Sequence, residues 1–155
     1  MRQTAQQLLA DHLRRPPYMS YDEEQRTWAS REVTFWPHIS LDLTGSTLVD
    51  LNLNDMSVVR AIFTRACFLG DACFSGANFS GEANFDAATF FDGVKFDGAS
   101  FSDDASFTGT RVLRLDDPDL NKGGKGARRV WPEQWIIHPD ADDPRRGTLL
   151  PSALE

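Results

Sequence analysis

AIFTRACFLGDACFSGANFSGEANFDAATFFDGVKFDGASFSDDASFTGTRV, residues 61–112, carries the pattern that decides the fold. Phe63, Phe74, Phe85, Phe96 and Phe107 recur every 11 residues, and Phe68, Phe79, Phe90 and Phe101 each follow five residues after the preceding member. Upstream, the same frame runs in fives through Leu43, Leu48, Leu53 and Val58, and it closes at Val112. A small residue lies two positions before most of these: Ala61, Ala66, Ala72, Ala77, Ala83, Ala88, Ala99 and Ala105. Ser46 and Thr110 are still small, whereas Leu41, Leu51, Met56 and Val94 depart from the rule.

A period near five suits neither an α-helix nor an ordinary strand, whose periods are about 3.6 and 2. It suits a chain that turns through a right angle after every five residues, so that four such units make a square coil. Stacked coils then pair as parallel strands about 4.8 Å apart. The large residue points to the axis and the small one fills the inner corner. Gly70, Gly76, Gly81, Gly93, Gly98 and Gly109 fall at the turns, where a side chain costs most. A leucine-rich-like solenoid and a disordered Phe/Gly segment are the competing readings, and fourteen consecutive in-frame positions weigh against both.

AlaAsnPheSerGly (77–81), AlaAsnPheAspAla (83–87) and AlaSerPheSerAsp (99–103) resemble the pentapeptide-repeat family. The resemblance covers residues 41–114, and the 5/6 alternation with Gly-Asp-Ala (70–72) and Gly-Glu-Ala (81–83) joints looks like a version seen in actinobacterial members. It implies an all-β fold, a right-handed quadrilateral β-helix of about three and a half coils, here with a short N-terminal α-helix and a C-terminal capping segment. The expected division is a cap over 1–38, the β-helix over 39–114, and a loop, cap and tail over 115–155.

Four faces per coil give four core columns: Leu48, Phe68, Phe90 and Val112; Leu53, Phe74 and Phe96; Val58, Phe79 and Phe101; and Leu43, Phe63, Phe85 and Phe107. The residue after each core member should point outward. It is polar at Thr44, Thr64, Asp86 and Thr108, but after the Phe68 column it is Val49, Leu69, Phe91 and Leu113. An apolar stripe of this kind marks an interaction surface or is covered by the chain's own flanks. A homodimer through it is one use; the identity of any other protein partner is not written in the residues.

In the flanks, residues 4–14 read as a helix with a Thr4–Gln7 capping box and an apolar face of Leu8, Leu9, His12 and Leu13, ended by Pro16-Pro17. Such a helix must pack on something, either the open first coil or the stripe. Trp28, Phe35 and Trp36 are expected to join that cap. Residues 116–129 read as a flexible loop, Arg129–Ile137 (RVWPEQWII) as a C-terminal cap or the cover over the apolar stripe, and 139–155 as partly disordered.

No catalytic or metal constellation emerges. His12, His38 and His138 sit in three separate flank segments, and Cys67 and Cys73 occupy outward positions on adjacent faces without metal spacing. GlyGlyLysGly (123–126) lacks the spacing of a phosphate loop, although with Lys122, Lys125, Arg128 and Arg129 it could touch an anion. No cofactor is expected. The formal net charge of −7 argues against direct nucleic acid binding. Neither a membrane span nor a signal peptide's apolar region is present in the sequence as read, and two cysteines give no disulfide framework, so a cytoplasmic setting is the default expectation.

The expected function is non-enzymatic: a protein–protein interaction or scaffolding module. The resemblance also implies an alternative, because some relatives are acidic rods that imitate DNA and engage type II topoisomerases such as gyrase to inhibit or protect them. Residues 41–110 hold ten acidic side chains against Arg60, Arg65 and Lys95. However, a rod of about 17 Å at strand spacing is short for a DNA imitation, and the acids spread over all sides.

Overall fold

The computed structural model describes residues 2–15, 20–22, 27–29, 35–103 and 105–152. A square β-helix occupies the middle of the chain, with its strands stacked into four faces. The first face holds β3 (Ser40–Asp42), β6 (Arg60–Ile62), β10 (Ala83–Asn84) and β14 (Ala105–Ser106), and the second β4 (Thr47–Val49), β7 (Cys67–Leu69), β11 (Thr89–Phe90) and β15 (Arg111–Val112). The third holds β8 (Ala72–Cys73) and β12 (Val94–Lys95), with Asn52 bridging to Cys73 below them. The fourth holds β5 (Ser57–Val58), β9 (Asn78–Phe79) and β13 (Ser100–Phe101).

All rungs within the coil pair in parallel, with Leu48 opposite Phe68, Phe68 opposite Phe90, and Phe90 opposite Val112. The expected columns are therefore the observed ones. Rings stack up them at centroid distances of 4.9 Å (Phe63–Phe85), 4.8 Å (Phe85–Phe107), 4.8 Å (Phe74–Phe96) and 4.8 Å (Phe79–Phe101). That spacing is the strand spacing, so one periodicity serves both the backbone ladder and the aromatic contacts. Between columns the rings meet edge-on, as Phe85 does with Phe74 and Phe96. Ala61, Ala66, Ala72, Ala77, Ala83 and Ala88 are buried at the inner corners, where a larger side chain would collide with the rings.

The glycines divide into two kinds. Gly70, Gly76, Gly98 and Gly109 have positive φ, as turns of this type need. Gly81 and Gly93 do not; they are required by close approach. A Cβ on Gly81 would lie 2.7 Å from the Val59 carbonyl oxygen, and one on Gly93 2.9 Å from that of Arg128.

The flanks correct several expectations. Helix α1 spans Arg2–Leu13, so it begins ahead of Thr4 and the Thr4–Gln7 pair is not its capping box. The Gln7 amide instead donates to Asp11 Oδ1. Ala10 and Leu13 are the buried face, while Leu8 is 56% exposed, because the helix lies across the open first coil and turns Leu8 away from it. His12 does face the cap, stacked on Trp36 at 4.0 Å. The reading of Trp28 falls outside the residues whose side chains are described; its backbone lies in β2 (Thr27–Ala29), which pairs antiparallel with β1 (Ser20–Asp22).

At the other end, residues 116–129 are tied down. Leu120 is fully buried, and the Asn121 amide donates to the Leu115 and Asp117 carbonyls. Asp117, Arg128 and Arg129, read as part of a flexible loop, serve here as its anchors. Strand β16 (Arg129–Val130) then becomes a further rung of the third face on β12, which carries Trp131 over Phe96 and Phe107. β17 (Trp135–Pro139) and β18 (Gly147–Pro151) form an antiparallel pair, and β18 adds to β15. Within the expected tail, Gly147–Pro151 is thus a strand with Leu149 fully buried.

Candidate functional site

Val49, Leu69, Phe91 and Leu113 occupy one corner of the helix, between the second and third faces. Val49 stands opposite Leu69 in the β4–β7 register. The Phe91 N–H donates to the Phe68 carbonyl and the Leu113 N–H to the Phe90 carbonyl, each one coil below. The structure therefore brings all four into one vertical line, one per coil. Each is half-buried.

The corner after the first face shows what a polar side chain does at this position. There the Thr44 hydroxyl donates to Asp42, Thr64 to Asn84, and the Thr108 N–H to Asp86. Thr64 thus ties two coils side chain to side chain, Thr108 ties two through its main chain, and Thr44 bonds within its own coil. At the apolar corner only main-chain groups can make such bonds, and the side chains contribute surface alone.

Each end of the line is anchored to a flank. Below, Gln6 of α1 brackets the main chain of Val49, donating to its carbonyl at 2.7 Å and accepting from its N–H at 3.1 Å. Above, Arg129 donates to the carbonyls of Leu113 and Asp92 and to Asn121 Oδ1. Arg114 pairs with Asp92 and Asp117, and Arg128 with Asp71, clipping the loop beside the same corner. Burial lowers the Arg129 pKa, the neighbouring Asp92 opposing it; the hydrogen bond that Arg128 donates to Asp71 raises the Arg128 pKa. Leu69 and Phe91 are the middle of the line, between the two anchorages.

Two of the four cations of the basic segment, Arg128 and Arg129, are thereby held by internal partners, leaving Lys122 and Lys125 at an exposed turn. Cys67 and Cys73 lie on different faces as half-buried free thiols. Burial pushes the Cys73 thiol up, helped by Asp71, which makes it a poorer nucleophile. Among the described residues, no group of three or more His, Cys, Asp or Glu could hold a metal ion, and no helix is long and apolar enough to cross a membrane.

A feature the sequence reading missed lies at the C-terminal end of the coil. A cleft of about 700 Å³ runs between Phe101 and the Trp131–Trp135 segment. Its signal was present: fourteen core positions fill three coils and two faces of a fourth, so two columns had to end one member short.

Residues 63–111 match the family model for pentapeptide repeats, in nine copies. No curated protein and no solved structure matches the chain.

Proposed function

The repeat of this chain belongs to the pentapeptide-repeat family, and from that premise we propose that the protein is a non-enzymatic interaction module that docks a protein surface along the apolar corner. The observation that carries this reading is the line of Val49, Leu69, Phe91 and Leu113, half-buried and in register through successive coils. A rigid, evenly spaced apolar edge presents contact area at little cost in side-chain ordering, since the backbone beneath it is already fixed. A second copy of the chain is one partner that such an edge suits.

The test is a double variant, Leu69→Ser with Phe91→Ser. It is expected to melt within about 4 °C of the parent while losing self-association by light scattering, or losing a partner captured by the parent chain. A large fall in melting temperature with association unchanged would mean that these side chains serve only the monomer.

The DNA-imitation reading has less support. Asp71 and Asp92 are paired with Arg128 and Arg114, and Asp86 accepts from Ser106 and Thr108, so acids in the middle coils are engaged within the protein. Unimpaired gyrase supercoiling at micromolar protein is the expected outcome, and inhibition would revive that alternative.

A further inference from the structure

The four faces end at different heights. The first has four rungs, the second is extended by β18 and β17, and the third gains β16, but the fourth stops at β13. The top members of the other columns, Phe107, Val112 and Phe96, are buried. Phe101 is only half-buried, although Phe79 directly beneath it is fully buried.

The backbone at this point is also unfinished. The N–H groups of Ser100 and Ser102 donate downward to the Ala77 and Phe79 carbonyls at 2.8 and 2.9 Å. Because successive residues of a strand address opposite sides, the N–H and C=O of Phe101 face the open side. β13 pairs with β9 and with no other strand among the described residues.

The cleft of about 700 Å³ lies along this edge, with Ala99, Phe101 and Ala105 on one side and Trp131, Trp135 and Pro151 on the other. Among the described residues the buried indole N–H of Trp131 has no hydrogen-bond partner. Asp97, Asp103 and Glu133 also line it, and no Lys or Arg does.

We propose that this open rung receives an extended peptide segment of a partner protein, which adds a strand along β13, stacks one apolar side chain on Phe101 as the next member of its column, and places Lys or Arg against Asp97, Asp103 and Glu133. Strand addition is what an unpaired edge accepts, and the 4.8 Å ring spacing of Phe79 and Phe101 defines where the apolar anchor sits. The three carboxylates select basic flanks. They also disfavour a second copy, since edge-to-edge pairing of two β13 strands would bring both sets of carboxylates together. The site shares no residue with the apolar corner and stands or falls separately from it.

The experiment uses the full chain and a short capped peptide with a central Phe, Thr on either side and Lys at both ends, followed by calorimetric titration. Saturable binding is expected. It should weaken at least about tenfold when the peptide amides along one edge are N-methylated, and likewise for Asp103→Lys with Glu133→Lys, given the weight of close charge pairs. The Leu69→Ser, Phe91→Ser chain should bind the peptide as the parent does. The proposal is overturned by an absence of saturation at millimolar peptide, by equal binding of the methylated peptide, or by loss of binding in the folded corner variant. A dimer of the chain alone that the peptide dissociates would assign the edge to a second copy and overturn the choice of partner.

Discussion

Phe68 and Phe90 stand one coil apart with their rings parallel, 0° between planes and 4.4 Å between centroids. In every column a ring of one coil stacks on the ring of the next, so the interior behaves as four short stacks rather than a mixed core. Phe85 sits centrally, stacked on Phe63 and Phe107 and edge-on to Phe74, Phe79 and Phe96. Phe85→Ala should cost about 3–5 kcal/mol. Phe101→Ala, at the open end, should cost less than half as much. Denaturant unfolding of the two variants measures the difference, and equal losses would contradict the uneven ending of the columns.

Glycine replacements separate close approach from backbone conformation. Gly81→Ala places a Cβ 2.7 Å from a main-chain oxygen of the coil below, which can move only with its rung. Gly109 has φ +69 but nothing within 4 Å of an added Cβ. Gly109→Ala should cost about 1–2 kcal/mol for the left-handed conformation alone, and Gly81→Ala more. Thermal melting of both variants tests the order.

Arg129 holds the loop to the corner through two main-chain carbonyls and Asn121. Arg129→Ala leaves those acceptors to find other donors and should cost about 1–3 kcal/mol. The loss should be local. Hydrogen exchange of the amides at Leu115 and Asn121 should accelerate while that at Phe63 and Phe85 stays slow. Uniform acceleration would mean that loop and coil unfold as one unit.

The pH response follows from Asp42, which the Thr44 hydroxyl, followed by the Thr44 N–H, holds below the ordinary carboxylate range, and from Asp143, held there by the Arg145 side chain. A carboxyl with a lowered folded pKa adds stability above its unfolded value and loses that contribution as pH falls through the folded value. These groups leave stability level from neutral pH to about 5 and lower it below about 4. In Thr44→Val, an NMR titration should show the Asp42 pKa rising towards the ordinary value; no movement would exclude the hydroxyl as the main cause.

The coil was legible because the Phe members of every column recur at one spacing, and Phe cannot serve as a ring stack unless the register is kept. The apolar corner was legible for the same reason, since Leu69 and Phe91 interrupt positions that are polar after the first face. What one chain position could not show was pairing without a period. Gly147–Pro151 reads as a short apolar stretch beside Asp and Pro, and only the free edge of β15 makes it a strand. Likewise, Leu8 and Leu13 are the same residue type, and the helix's angle across the first coil decides which is buried.

Leu149 brings that last point to a measurement. It lies in β18, fully buried, with its N–H donated to the Thr110 carbonyl at 3.0 Å, so it closes the top of the second face. A disordered tail would tolerate any substitution there. In this structure Leu149→Ala removes a core side chain and should cost about 2–5 kcal/mol. Because β18 is the link between β15 and β17, its loosening also frees Trp135 from Phe107, which it meets at 5.3 Å. The variant should therefore show a shifted tryptophan emission before global unfolding in a denaturant titration. An unchanged midpoint and spectrum would return residues 139–152 to the status of a loose tail.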